Sequence, residues 1–148
     1  MLPGARHAEL QLSSREQQAY REHVRKWLEE NLTGRFESLK GRGGPGDEHY
    51  AVDLRMDWNR VMGAAGWNCI GYPKELGGRA ATLMEEVIFN EEYVRAGGPG
   101  RIGHVGETLL GPTLIHFGSA EQKAKYLPGI VDGTEIWCQG YSEPNAGS

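Results

Sequence analysis

Apolar residues recur at helical spacing along most of the chain. Tyr20, Val24, Trp27, Leu28 and Leu32 share one face while charges fill the other, which predicts a helix over about 14–31. Ser13 and Ser14 offer its N-cap, with Glu16 and Gln17 in capping-box register. Leu54, Trp58, Val61, Met62 and Ala65 form a second stripe, capped by Asp53 and stopped by Gly66. Thr82 with Glu85 opens a third helix over about 83–96. Met84, Val87, Ile88 and Val94 lie on one side of it, and Phe89 and Tyr93 on another. That pattern predicts burial between two neighbours.

Val105, Leu109 and Leu110 begin a fourth helical stretch. Pro112 is unfavourable deep in a helix but favoured at its first position. A break at Gly111 and a new helix from Pro112 to Phe117 follow from that. Ser119 with Gln122 caps a short helix through Tyr126, which Leu127-Pro128 ends. Residues Gly129 to Asp132 make at most one further turn. Between these elements, residues 40–49 form a glycine-rich surface loop around Pro45, and Trp67 to Gly78 is irregular. After Gly133 the character changes: Thr134, Ile136, Trp137 and Tyr141 favour a strand. A single strand needs partners. The expected fold is therefore an all-α helical bundle over 13–133, after a loose arm at 1–12, with the first strand of a truncated β domain over 134–148.

Length and composition fit this plan. A chain of 148 residues with 39% hydrophobic and 24% charged residues suits one soluble globular domain. The net charge of −4 and the lack of any basic stripe argue against a nucleic-acid partner. No apolar run approaches the roughly 18 residues of a membrane span, and Met1 to Leu12 lacks the pattern of a secretory signal. With only Cys69 and Cys138, a disulfide framework is not expected, and a reducing cytoplasm is the simplest location.

The 22 glycines produce two literal G-x-G-x-x-G matches: Gly41, Gly43, Gly46 and Gly98, Gly100, Gly103. A dinucleotide site needs a strand before the motif and a helix N-terminus after it. Each match follows a helix instead, so chance is the better explanation. His7, His23, His49, His104 and His116 show no metal-ligand spacing, and no metal is expected. Glu85-Glu86 and Glu91-Glu92 are expected on a solvated helix face, while Glu107 fits either a pocket wall or a first-turn acid. Residues Trp137 to Ser148 run into a Pro/Asn/Gly/Ser turn. Such a turn can hold an anion or the edge of a polar ring, or it can be an ordinary strand exit; the residues leave both open.

Gln139-Gly140-Tyr141-Ser142-Glu143-Pro144-Asn145-Ala146-Gly147-Ser148 resembles the flavin-binding signature of acyl-CoA dehydrogenases. The runs Gly111 to Ser119, Glu121-Gln122-Lys123, Tyr126-Leu127-Pro128 and Tyr72 to Gly78, with Glu91-Glu92, resemble the same family in order along about 14–148. Asn145 stands where many members have glycine, which implies a different turn detail. The resemblance implies a helical N-terminal domain, a central β domain that binds FAD, a C-terminal four-helix domain, and commonly a tetramer. It implies an oxidoreductase of fatty-acid or lipid metabolism that introduces an α,β double bond into an acyl-CoA, with electron-transfer flavoprotein as acceptor. By the same resemblance Gln139, Tyr141, Ser142, Gly147 and Ser148 would contact the flavin, and Gly103, His104, Val105 and Ser148 the substrate. The catalytic base belongs to a later part of the family's chain, so residues 1–148 alone are expected to be inactive and to hold FAD weakly or not at all. A homo- or hetero-oligomer is implied, and two alternatives share the fold: a flavin-dependent monooxygenase, and a non-catalytic subunit of a hetero-oligomeric dehydrogenase.

Overall fold

Two apolar cores organise the chain. The computed structural model describes residues 14–145. The arm 1–12, the Ser13 cap, Gly147 and Ser148 lie outside the described residues. Helix α1 spans Ser14–Asn31, α2 Val52–Ala64, α3 Leu83–Arg95, α4 Gly111–Phe117 and α5 Ala120–Val131. Short 3-10 turns at Gly34–Leu39 and Lys74–Leu76 and a π turn at Gly106–Leu110 connect them. The larger core gathers Val24, Leu28, Trp58, Met62, Trp67 and Phe89 from α1, α2, α3 and the loop after α2. Its centre is aromatic: Trp67 stacks on Phe89 at 5.3 Å, and Trp27 lies 5.6 Å from Trp58. The smaller core joins Tyr72 and Leu114 to Leu127, Ile130 and Val131 of α5.

The helical bundle agrees with the sequence, and the strand does not. Among the described residues there is no β-strand, and 134–145 runs without regular structure into a turn at Pro144 and Asn145. Strand-favouring side chains supply no second edge to pair with. The backbone here bonds locally instead: Thr134 N donates to Asp132 Oδ1 at 3.0 Å and Glu135 N to the Gly129 carbonyl at 3.0 Å.

Local end signals hold well. Both capping boxes, Thr82 with Glu85 and Ser119 with Gln122, are formed. Gly66 turns left-handed at φ +71 just past α2. Four expectations need correction. Ala51, left-handed at φ 43, occupies the α2 N-cap position, and Asp53 sits in the first turn, where the helix dipole favours it. Helix α3 buries only the Ile88, Phe89 and Tyr93 side; Met84, Val87 and Val94 are 38%, 43% and 76% exposed. Gly111 is helical, so no break precedes Pro112; the π turn runs directly into α4. Helix α5 continues through Pro128 to Val131. The backbone bond lost at Pro128 lies on the exposed side, where Ala124 and Pro128 are both exposed residues. Leu127, Ile130 and Val131 are buried on the other side.

The α1–α3 contact is held by a charge cluster that the acidic pairs did not reveal. Glu92, expected in solvent, is only 1% exposed. It accepts from Arg21 at 2.9 Å, Arg25 at 3.1 Å and Arg95 at 2.7 Å. The Arg25 hydrogen bond, ahead of those from Arg21 and Arg95, holds its carboxyl down to about 2 from the usual 4.5. A depressed folded-state value means that the stabilisation is complete above pH 4.5 and is lost as the pH falls toward 2. Glu92→Gln is therefore expected to cost about 2 kcal/mol at neutral pH and much less near pH 2. Urea unfolding at the two pH values reads this difference; equal losses at both would remove the role assigned to the carboxylate.

Candidate functional site

The wall of the site begins with the two glycine-rich runs. They pack against each other. Gly41 N donates to the Gly97 carbonyl at 2.8 Å and Gly100 N to the Arg42 carbonyl at 2.9 Å. A methyl on Gly100 would overlap the Gly43 carbonyl, so the approach demands glycine there. Arg55, 5% exposed, reaches between the runs from α2. Its guanidinium donates to the carbonyls of Gly100 at 2.8 Å, Gly43 at 3.0 Å and Glu48 at 2.6 Å. The glycines thus serve backbone packing. Neither run lies between a strand and a helix.

Beyond Gly100 the loop is fixed a second time. Arg101 donates to Glu107 at 2.6 Å and to Asn68 Oδ1 at 2.8 Å. Glu107 is largely buried and, with Arg101, also lines a cavity of ≈ 370 Å³ beside Trp67, Cys69 and Tyr72. Its carboxylate occupies the space a side chain on Gly103 would need. Gly103 therefore shapes the loop by letting Glu107 approach. His104 is exposed and Val105 half-buried.

Val105, Leu109, Leu110 and Thr113 line one side of a groove of ≈ 260 Å³, with Trp137, Cys138 and Gln139 on the other. This is where a predicted substrate residue, Val105, and a predicted cofactor residue, Gln139, come together. Tyr141, 86% exposed, and Ser142 continue outward from it without packing. Among the described residues the Trp137 indole N–H is buried without a partner in the groove wall, and its ring packs edge-on to Tyr126 at 5.4 Å. An orphaned donor beside an exposed stretch without regular structure is compatible with a planar ring that carries acceptors along its edge. A larger apolar groove of ≈ 650 Å³ between α5 and the Leu76 turn contains none of the predicted site residues.

The sequence reading missed Arg55, Arg101 and Tyr72. A lone arginine on an amphipathic helix reads as solvated. The one available signal for Arg55 was the nearby excess of glycine, which marks carbonyls open to close approach. Burial pushes the Cys69 thiol up to about 12, and the nearby Glu107 charge adds to the effect. Burial likewise raises the Tyr72 phenol, so it remains a protonated donor. Among the described residues no group of three or more His, Cys, Asp or Glu could hold a metal, and no helix is long and apolar enough to cross a membrane.

Comparison with known proteins bears directly on this geometry. Residues 14–134 match the family model "Acyl-CoA dehydrogenase, N-terminal domain". The acyl-CoA dehydrogenase IpdE1 of Mycolicibacterium smegmatis is 55% identical over 133 residues, which is 90% of this chain and 34% of that protein. The ChsE4–ChsE5 complex from Mycobacterium tuberculosis superposes with a TM-score of 0.71 at 30% identity, covering 94% of this chain and 33% of that one. The Tcur3481–Tcur3483 steroid ACAD gives 0.71 at 33% identity, covering 94% and 34%. The chain thus spans about a third of the length of these relatives.

Two measurements check the local chemistry. At mildly alkaline pH, iodoacetamide is expected to label exposed Cys138 well before Cys69, whose thiolate is suppressed. Peptide mapping would show the order, and first labelling at Cys69 would contradict it. Arg55→Met strips the donor from three carbonyls and is expected to lower stability by about 3 kcal/mol. Amide exchange across 98–105 should quicken selectively; unchanged exchange there would show that the clamp does not set the loop.

Proposed function

The chain belongs to the acyl-CoA dehydrogenase family, and on that premise we propose that it forms the helical N-terminal part of an FAD-dependent enzyme that introduces an α,β double bond into an acyl-CoA thioester. The observation that supports this is the shared groove, which both Val105 and Gln139 line. Val105, Leu109 and Leu110 give an apolar wall suited to an acyl group rather than to the polar nucleotide of coenzyme A. His104 is exposed and lines a neighbouring cleft with Gly100 and Arg101, Gly103 contributes through the loop it shapes, and Ser148 completes the proposed substrate set.

Gln139, Tyr141 and Ser142 are the proposed flavin contacts within the described residues, with Gly147 and Ser148 following in sequence. FAD, when bound, supplies the acceptor for the β-hydrogen as hydride. The part assigned to this chain is to orient the thioester's acyl group and keep water from it. The α-proton base and transfer onward to electron-transfer flavoprotein belong to the family's pattern beyond this third of the length.

A second reading has its own support. The ChsE4–ChsE5 and Tcur3481–Tcur3483 structures each pair two different chains. This chain accordingly fits one subunit of a hetero-oligomer, either as the catalytic partner or as one that contributes contacts only.

The test uses the longer polypeptide that carries this chain, purified with any subunit that accompanies it. Anaerobic addition of acyl-CoA thioesters is expected to bleach the flavin band and yield an enoyl-CoA. Val105→Trp should raise KM about tenfold or more by filling the acyl wall. A flavin that no acyl-CoA reduces, in any subunit combination, would end the dehydrogenase assignment. Bleaching that survives loss of flavin from this subunit alone would select the non-catalytic reading.

A further inference from the structure

An α-helix closes each N–H onto the carbonyl four residues back. Gly111 would then donate to Glu107. It donates to Gly106 instead, five residues back. The Glu107 carbonyl so released accepts the Tyr72 hydroxyl at 2.5 Å. A methyl on Gly111 would overlap that same hydroxyl, so the phenol oxygen occupies the gap between residue 111 and carbonyl 107. Tyr72 is buried and comes from outside the helix. Its backbone is pinned by Tyr72 N to the Cys69 carbonyl at 2.9 Å and by Ala80 N to the Tyr72 carbonyl at 2.8 Å. The wedge therefore has its own anchor.

The wide turn has a consequence for the groove. Val105 precedes it and Thr113 follows it, yet both line the same wall. Tightening the turn to α geometry would rotate one segment against the other by a residue step, ~100°. Val105 and Thr113 would then face different directions. Tyr72 itself does not line this groove, so its influence passes through the helix.

We propose that the Tyr72 hydroxyl is a positioning group that holds the π turn open and thereby sets which acyl shapes the groove accepts. The selectivity half of this rests on the function proposed above. Pro112 is the rival cause, because its ring lacks an N–H and crowds the carbonyl four residues back.

Two variants separate the causes. Tyr72→Phe keeps the ring and removes only the hydroxyl. Pro112→Ala restores the N–H and keeps the phenol. Crystal structures of both, in the longer polypeptide that carries this chain, read which carbonyl Gly111 contacts. The contact is expected to move to Glu107 in Tyr72→Phe and to stay on Gly106 in Pro112→Ala. In the active flavoprotein, the ratio of kcat/KM for a ring-bearing over a straight-chain acyl-CoA should shift about tenfold in Tyr72→Phe. A π turn that persists in Tyr72→Phe, or that tightens in Pro112→Ala alone, overturns the proposal. So does an unchanged acyl ratio after the turn has tightened. If no acyl-CoA is turned over by the wild type, the selectivity half falls with the function, and the structural comparison alone judges the wedge.

Discussion

A buried cation held by backbone carbonyls is the constraint on which the site depends. Arg55 is 5% exposed, and its charge is met by three backbone carbonyls. Burying a guanidinium is tolerable only when its donors are used and the surrounding dipoles face it. Those carbonyls belong to chain segments far apart in sequence, so meeting the charge forces the 43–48 and 97–100 stretches together. Only residues without a Cβ allow that distance at Gly43 and Gly100. The arginine and the glycines are therefore one device. Its product is a fixed starting point for the loop that leads to Val105.

Charge is used differently elsewhere. Glu92 is inside, but its three arginines are 28% to 50% exposed at the side chain. Each guanidinium keeps part of its hydration while the carboxylate exchanges water for donors. That arrangement limits the desolvation cost to one group and joins α1 to α3. Arg101 with Glu107 is less complete: Arg101 Nε and Glu107 Oε1 are buried without partners among the described residues. The pair holds the 101–107 segment by geometry more than by fully satisfied bonding. A network left partly unsatisfied next to a binding groove agrees with the general tendency of sites to depart from local ideality.

The sequence was legible wherever the deciding physics was local. Thr82 with Glu85 and Ser119 with Gln122 satisfy helix N–H groups within four residues, and both boxes formed. The α1 stripe also matched, because one face was apolar without ambiguity. Legibility failed where a distant partner decided. Pro128 did not stop α5 because Leu127 and Ile130 had a core to fill. Pro112 stands in the first turn of α4 as expected, but no break precedes it, because the π turn runs straight into the helix. Thr134 to Tyr141 favoured a strand by side-chain type, but among the described residues no second strand offers an edge to pair with. Gly103 was named as a substrate contact by resemblance alone; the structure adds that its missing side chain gives room to Glu107. The groove was half legible: Val105 and Gln139 were both named, and nothing in their spacing said that they would meet.

Their meeting follows from how α5 returns the chain. The capping box at Ser119 fixes where α5 starts, and burial of Leu127, Ile130 and Val131 against Tyr72 and Leu114 fixes its direction. Gly133, left-handed at φ +74, then reverses the chain beside Asn59, whose side chain donates to the Gly133 carbonyl at 3.4 Å. Residues 137–139 are thereby laid along the π turn, where Gly106 leaves room for the edge of the Trp137 ring. Tyr72 belongs both to the core that orients α5 and to the wedge that shapes the opposite wall. The two walls of the groove are thus referred to one side chain. A disturbance at Tyr72 would reach the apolar wall and the 137–139 wall together, whereas a disturbance at Arg55 would enter through the loop before Val105 alone.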